Sequence, residues 1–154
     1  MKVFVSYGSV ADQVTALRLQ ALAAVNGLTV YVPPIHTRQN SPNLLVPETT
    51  QRLKESDVIL GVVQTALTEA CKQELNTGLT LKKNMLVMAG LGIAPQLRPH
   101  FQSNLVEIDP TNPDQTEIKI VQHLKAMNAQ KNAQIALLAL VTLALGLLIF
   151  APVE

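Results

Sequence analysis

The chain contains few cysteine, histidine and charged residues, and this argues against several classes of protein. A single cysteine leaves no internal disulfide and no cysteine-built metal site. The net charge of +1 argues against a nucleic-acid binder, which would carry a clustered basic face. His36, His100 and His123 lie far apart, and none has a second ligand at metal spacing. We therefore predict no metal site and expect all three histidines at the surface.

Hydrophobic residues, by contrast, make up 48% of the chain, and they are concentrated at its end. Residues 135–153 contain no charge, and Thr142 is their only clearly polar side chain. As a helix this segment would measure about 28 Å, close to the roughly 30 Å hydrocarbon core of a bilayer. A buried C-terminal helix is the alternative, but it should show a polar face. We predict a transmembrane helix over 135–153, joined to the preceding domain by a short junction at 129–134.

The charges that flank residues 135–153 predict an orientation. Lys119, Lys125 and Lys131 precede the segment, whereas Glu154 follows it. The positive-inside rule then places the N-terminal part in the cytoplasm. We expect a single-pass, tail-anchored protein with the lipid bilayer as one of its partners.

Apolar runs alternate with helical segments along residues 1–128. Such alternation predicts an α/β domain, a flavodoxin-like five-stranded parallel sheet of order 2-1-3-4-5 with helices on both faces. A loop is predicted around Gly92, Pro95 and Pro99, between the last two strands. The predicted strands cover residues 2–7, 28–32, 57–63, 84–90 and 104–109, and the predicted helices cover 9–26, 47–55, 68–79 and 112 to about 130.

The first predicted helix begins with Ser9 as a cap and ends before Gly27. Its apolar residues recur at the spacing of a core-facing stripe. The stripe consists of Val10, Val14, Leu17, Ala21 and Val25.

A carboxylate stands on the apolar face of the helix predicted at 68–79. At about 100° per residue, Glu74 falls within the stripe that also contains Leu67, Cys71, Leu75 and Gly78. A buried glutamate is uncommon unless it is paired or functional. Either Glu74 lies at the border and reaches water, or its stripe faces a crevice. Cys71 is most simply a small core residue, with a nucleophile as the alternative.

Ligands of such sheets bind beyond the carboxyl ends of the strands, where the winding reverses. Here that point lies between the first and third strands, and residues 7–9 and 64–70 follow those strands. Both segments lead into helix N-termini, whose free amides favour anions such as phosphate. Residues 7–9 are equally well explained as a tight turn and a helix cap.

Two stretches of the chain resemble Toll/interleukin-1 receptor (TIR) domains. KVFVSYGSVAD (2–12) is similar to their opening strand and turn, and the segment 57–88 is similar to their second signature. In that signature Cys71 and Glu74 match a C-x-x-E motif, and the resemblance extends over about residues 2–125. The usual tryptophan before the cysteine is Ala70, and the proline-rich loop after the second strand lacks its common glycine.

The resemblance implies an NAD+ glycohydrolase that releases nicotinamide, with Glu74 as the catalytic residue. NAD+ is then the substrate and no cofactor is needed. By position, Tyr7, Gly8 and Ser9 would line the nicotinamide-ribose end, and Pro34 and Thr65 would also contact substrate. The loop over 33–43 would flank the site. The family also implies self-association through TIR–TIR contacts, here in a prokaryotic defence or stress pathway.

Two alternatives remain open. A non-catalytic TIR-like scaffold would recruit partners at the membrane. A relative of the nucleoside deoxyribosyltransferases would share this sheet and its glutamate but expel a poorer leaving base. A second carboxylate should then help to protonate that base, and Asp12 is the nearest candidate by position.

Overall fold

The computed structural model describes residues 1–35 and 45–133, and these contain a single parallel sheet. Its strand order is β2-β1-β3-β4-β5, and every neighbouring pair is parallel. The predicted sheet and its order are therefore confirmed. The strands are β1 (Lys2–Tyr7), β2 (Thr29–Tyr31), β3 (Val58–Val63), β4 (Asn84–Ala89) and β5 (Leu105–Glu107).

Helices cover both faces of this sheet. One apolar cluster joins the sheet to α1 and α5, and a second joins it to α2, α3 and α4. All six residues of β3 are buried, as expected for a parallel strand with helices on both sides. The helices are α1 (Val10–Val25), α2 (Pro47–Glu55), α3 (Glu69–Thr80), α4 (Ala94–Phe101) and α5 (Pro113–Ala133).

The loop prediction around Gly92, Pro95 and Pro99 is wrong in part, because α4 occupies most of it. Pro95 lies in the first turn, where its missing N–H would have no partner in the helix. Pro99 is exposed inside the helix. The apolar side chains buried by α4, those of Ala94, Leu97 and Phe101, offset the hydrogen bond that Pro99 cannot donate.

The core-facing stripe predicted for α1 is also wrong. Val10, Val14, Leu17, Ala21 and Val25 are all exposed. The helix is turned so that its opposite side packs on the sheet. That buried side consists of Asp12, Thr15, Ala16, Leu19 and Ala23.

The C-terminal predictions fall largely outside the described residues. Helix α5 ends at Ala133 and so includes residues 129–133 of the predicted junction 129–134. The predicted transmembrane segment 135–153 lies beyond it and is not among the described residues. Of the helices in the described part of the chain, none is both long enough and apolar enough to cross a bilayer.

The expected surface position of the histidines holds for one of the two that the structure describes. His100 is exposed, whereas His123 is 8% exposed and lies on the buried side of α5. Burial lowers the pKa of His123 from 6.5 to about 4, because the imidazolium loses its hydration there. His36 lies outside the described residues.

Gly90 provides a first test of the fold, because a Cβ there would lie 1.9 Å from the carbonyl oxygen of Gln64. We expect Gly90→Ala to lower the free energy of unfolding by about 1–3 kcal/mol, since backbone must move. Gly92 is the matched control, because a Cβ there would have no atom within 4 Å. Gly92→Ala should stay within about 0.5 kcal/mol of wild type in chemical denaturation. Equal effects of the two substitutions would contradict this packing.

The buried imidazole predicts a pH dependence of stability. The folded state binds the His123 proton with a pKa of about 4, below the ordinary 6.5, so the unfolded state takes up the proton first. The contribution of neutral His123 to the free energy of unfolding is complete above pH 6.5 and is lost as the pH falls towards 4. Denaturation between these values should show a flatter pH dependence for His123→Gln, while His100→Gln keeps the wild-type slope. An unchanged slope in His123→Gln would argue against the assignment.

Candidate active site around Glu74

Glu74 is buried in contact with β1, the neighbour of the central strand β3. Its side chain is 0% exposed, and its Oε1 accepts a hydrogen bond of 2.8 Å from the hydroxyl of Ser6. The Ser6 Oγ also lies 3.2 Å from the Sγ of Cys71. A hydroxyl has one proton to donate, so a serine that donates to the carboxylate accepts from the thiol. The three side chains form one buried polar group between β1 and α3.

A glycine beside Ser6 lets α3 approach the sheet closely. Gly61 of β3 is the register partner of Ser6, and a Cβ there would lie 3.2 Å from Leu75 Cδ2. The apolar stripe of α3 is buried as its spacing predicts, with Cys71, Leu75 and Gly78 on it. Glu74 shares this face, so its carboxylate has to be satisfied within the protein.

The carboxyl end of β1 touches the beginning of α3. A Cβ at Gly8 would lie 2.9 Å from the hydroxyl oxygen of Thr68, which is the residue at the N-cap of α3. Within the described part of the chain, Thr68 Oγ1 is buried and has no hydrogen-bond partner. The Gly8 backbone, the Thr68 hydroxyl and the first turn of α3 therefore meet at the predicted switch point.

Ser9 and Asp12 hold the two loops of this edge together. Ser9 and Asp12 form a capping box at the start of α1, in which each side chain accepts from the other's backbone N–H. The second oxygen of Asp12 accepts a 3.0 Å hydrogen bond from the backbone N–H of Gln64, after β3. Ser9 thus caps α1, as its position predicts. Asp12 links the loop between β1 and α1 to the loop between β3 and α3.

The other predicted site residues lie apart from Glu74. Tyr7 is 0% exposed and belongs to the apolar cluster on the opposite face of the sheet, where its hydroxyl donates to the carbonyl of Pro33. Pro34 and Thr65 are both exposed, in the segments after β2 and β3. The structure therefore brings Ser6, Cys71 and Glu74 together, with Gly8 and Thr68 at the neighbouring edge.

Ser6 and Thr68 are absent from the predicted site residues, although the sequence carries a signal for one of them. Ser6 is the one hydroxyl in the otherwise apolar interior of KVFVSY, and strand alternation places it on the same face as Phe4. A polar residue on a doubly buried strand needs a partner, and Glu74 is the unexplained carboxylate. The contact between Gly8 and Thr68 depends on the geometry of the loops, and no comparable pattern in the sequence predicts it.

The described residues contain no group of three or more His, Cys, Asp or Glu side chains that could hold a metal ion. The chemistry available at Glu74 is that of one carboxylate in apolar surroundings. Such a group stabilises positive charge strongly, because little water competes with it.

Comparison of the chain with protein-family models and with curated proteins finds no match in either case. The resemblance to TIR domains thus depends on the motifs at 2–12 and 57–88 alone.

The tie formed by Asp12 predicts the effect of removing its charge. In Asp12→Asn one carboxylate oxygen becomes an NH2 group, so one backbone N–H that donates to the carboxylate loses its acceptor. We expect the free energy of unfolding to fall by about 1–3 kcal/mol. Asp114→Asn, at an exposed position in the first turn of α5, should change it by no more than about 0.5 kcal/mol. Equal losses in chemical denaturation of the two variants would remove Asp12 from this role.

Proposed function

We propose that this chain is a membrane-anchored, TIR-like NAD+ glycohydrolase that releases nicotinamide. The observation that carries the proposal is the buried carboxylate of Glu74, held by the hydroxyl of Ser6 beside the switch point of a parallel sheet. The motif resemblance assigns the same glutamate to catalysis, and it does not depend on this contact.

The reaction suits a site with one carboxylate. The bond that breaks joins C1′ of the ribose to the pyridinium nitrogen, which keeps the electron pair and leaves as neutral nicotinamide. No general acid is needed for that departure. The ribose passes through an oxocarbenium-like state, which the charge of Glu74 stabilises. Water then adds to C1′ and loses a proton, giving ADP-ribose, or a hydroxyl of the substrate adds and gives a cyclic product.

Each neighbouring group has a role in this proposal. Ser6 is a positioning residue, since it orients the carboxylate through its hydrogen bond. The first turn of α3, which lies beside the backbone of Gly8, receives the diphosphate, as free amides at helix N-termini do. Ser9, Pro34 and Thr65 border the substrate near this edge. Tyr7 supports the strand from the opposite face, because its ring is enclosed in the core.

The absence of exposed surface on Glu74 fits an enzyme that is silent until its environment changes. In the proposal, self-association opens the α3 face to substrate. Anchoring by residues 135–153, with the domain in the cytoplasm, confines copies to one surface and raises their effective concentration.

The same burial favours the scaffold as a second candidate, because a fully enclosed Ser6–Glu74 pair also serves as a structural tie. The deoxyribosyltransferase alternative needs a second carboxylate beside Glu74, and the position of Asp12 does not support that role. Asp12 lies on α1, which covers the opposite face of the sheet from α3, and its oxygens accept from backbone N–H groups.

Glu74→Gln tests the hydrolase, because it removes the charge and keeps the shape. With the full chain, we expect nicotinamide release to fall by about 100-fold or more, the scale seen when electrostatic stabilisation of a transition state is lost. Glu55→Gln is the matched control, an exposed glutamate at the C-terminal end of α2, and should release nicotinamide at the wild-type rate. Chemical denaturation verifies that both variants are folded. Equal release by wild type and a folded Glu74→Gln would exclude Glu74 from catalysis.

A further inference from the structure

The outer face of α1 is apolar along its whole length. It is the stripe that the sequence suggested for the core, and it lies opposite the side that packs on the sheet. The exposed fractions are 63% for Val10, 52% for Val14, 46% for Leu17 and 87% for Val25, and Ala21 and Ala24 are exposed as well. A helix that covers a sheet normally turns polar residues outward. A contiguous exposed apolar face indicates an interaction surface.

Charge is almost absent from this face. Of the two charged residues in α1, Asp12 is buried, and Arg18 forms an ion pair with Glu117 of α5 at 2.5 Å. Residues along the axis of a two-fold contact meet their own copies, so an unpaired charge there would repel its equivalent. The outer face of α1 meets this requirement.

The spacing of the stripe also suits self-packing. Val10, Val14, Leu17, Ala21 and Ala24 follow one another at intervals of four, three, four and three residues, the repeat of a coiled-coil seam. With Val14 at an a position and Leu17 at the next d position, the central heptad has the β-branched a and leucine d that favour two parallel strands.

We propose that a second copy of this chain covers the outer face of α1, in a two-fold dimer in which the two α1 helices pack in parallel. Helix α1 ends where β2 begins, and Thr29 of β2 pairs with Lys2 at the amino end of β1. Helix α5 reaches the same edge of the sheet, because His123 and Met127 line a cavity with Val58 and Asn84, at the starts of β3 and β4. A parallel dimer therefore places the C-terminal ends of both α5 helices on the same side.

The two other occupants fit this face less well. The chain's own apolar segment would have to reverse direction after α5, yet residues 131–145 contain neither glycine nor proline to make a turn. A bilayer-bound helix carries lysines or arginines along its polar border and bulky aromatic residues on its apolar face. Helix α1 has no lysine and no aromatic residue, and its arginine is paired.

Cysteine cross-linking of the full chain tests both the surface and the direction of packing. Leu17→Cys and Ala24→Cys are each made singly and oxidised with an added copper–phenanthroline reagent, which accepts the two electrons of each thiol pair. Both variants should give a disulfide-linked dimer, since d positions face their own copies in a parallel pair. Leu91→Cys is the control, 54% exposed after β4, and should stay monomeric on a non-reducing gel. The native Cys71 is buried and is present in all three. Failure of Ala24→Cys to cross-link would overturn the parallel arrangement.

Charge insertion gives an independent measurement. Val14→Glu combined with Leu17→Glu should raise the dimer dissociation constant by about 100-fold or more, because like charges then meet across the axis. Leu91→Glu should leave that constant unchanged. Since both α1 side chains are exposed in the single chain, unfolding of the monomer should stay cooperative.

The proposal would be overturned if the wild-type chain were monomeric, or if the double substitution left the dimer dissociation constant unchanged. It would also be overturned if a variant with both Leu17→Cys and Leu138→Cys formed a disulfide within one chain. A monomer whose Leu17→Cys thiol is shielded from a soluble maleimide only by lipid vesicles would likewise assign the face to the bilayer. The dimer would supply the self-association proposed above for activation, so its loss would remove α1 as the surface for that step, whereas Glu74→Gln tests catalysis independently of how the copies pack.

Discussion

The central constraint on this structure is that β1 and β3 are covered by helices on both faces, which leaves no water for a polar side chain between them. Ser6 of β1 lies in this layer and is satisfied because Glu74 of α3 accepts a 2.8 Å hydrogen bond from its hydroxyl. The bond requires α3 to lie close to the sheet, and Gly61, the register partner of Ser6, leaves room for it. A buried carboxylate, one hydroxyl donor and a close helix are thus consequences of one packing requirement. The same requirement places an ionisable group beside the edge where such sheets bind ligands.

A second polar contact determines how α1 is turned about its axis. Asp12 accepts from the backbone of Ser9 and of Gln64, so the side of α1 that contains Asp12 must face inward. Ala16 and Ala23 on that side are small and allow close packing, and Leu19 supplies most of the apolar volume. The larger apolar residues are left on the outside. A face that looks like a core stripe in the sequence has in this way become the surface assigned to a second copy.

The sheet was predictable because each strand is a short apolar run with glycine, proline or polar residues at its ends, and alternation with helices implies parallel pairing. The errors share a different origin. The stripe of α1 has the correct period, but hydrophobic spacing does not contain the tie between Asp12 and Gln64, which are 52 residues apart. Pro95 and Pro99 led to the prediction of a loop where α4 forms. A proline is compatible with the first turn of a helix, and the burial of Leu97 and Phe101 depends on the completed sheet. In the site, helical spacing alone predicts that Glu74 lies on the apolar stripe of its helix. Its pairing with Ser6 could not be predicted, because that depends on which helix covers which strand.

The most direct test of the proposed hydrolase is nicotinamide release from NAD+ by the full chain reconstituted in liposomes, measured as its surface density is raised. A hydrolase activated by self-association should release more nicotinamide per molecule as the density rises. No release at any density, from protein shown to be folded, would contradict it and leave the Ser6–Glu74 pair as a structural tie.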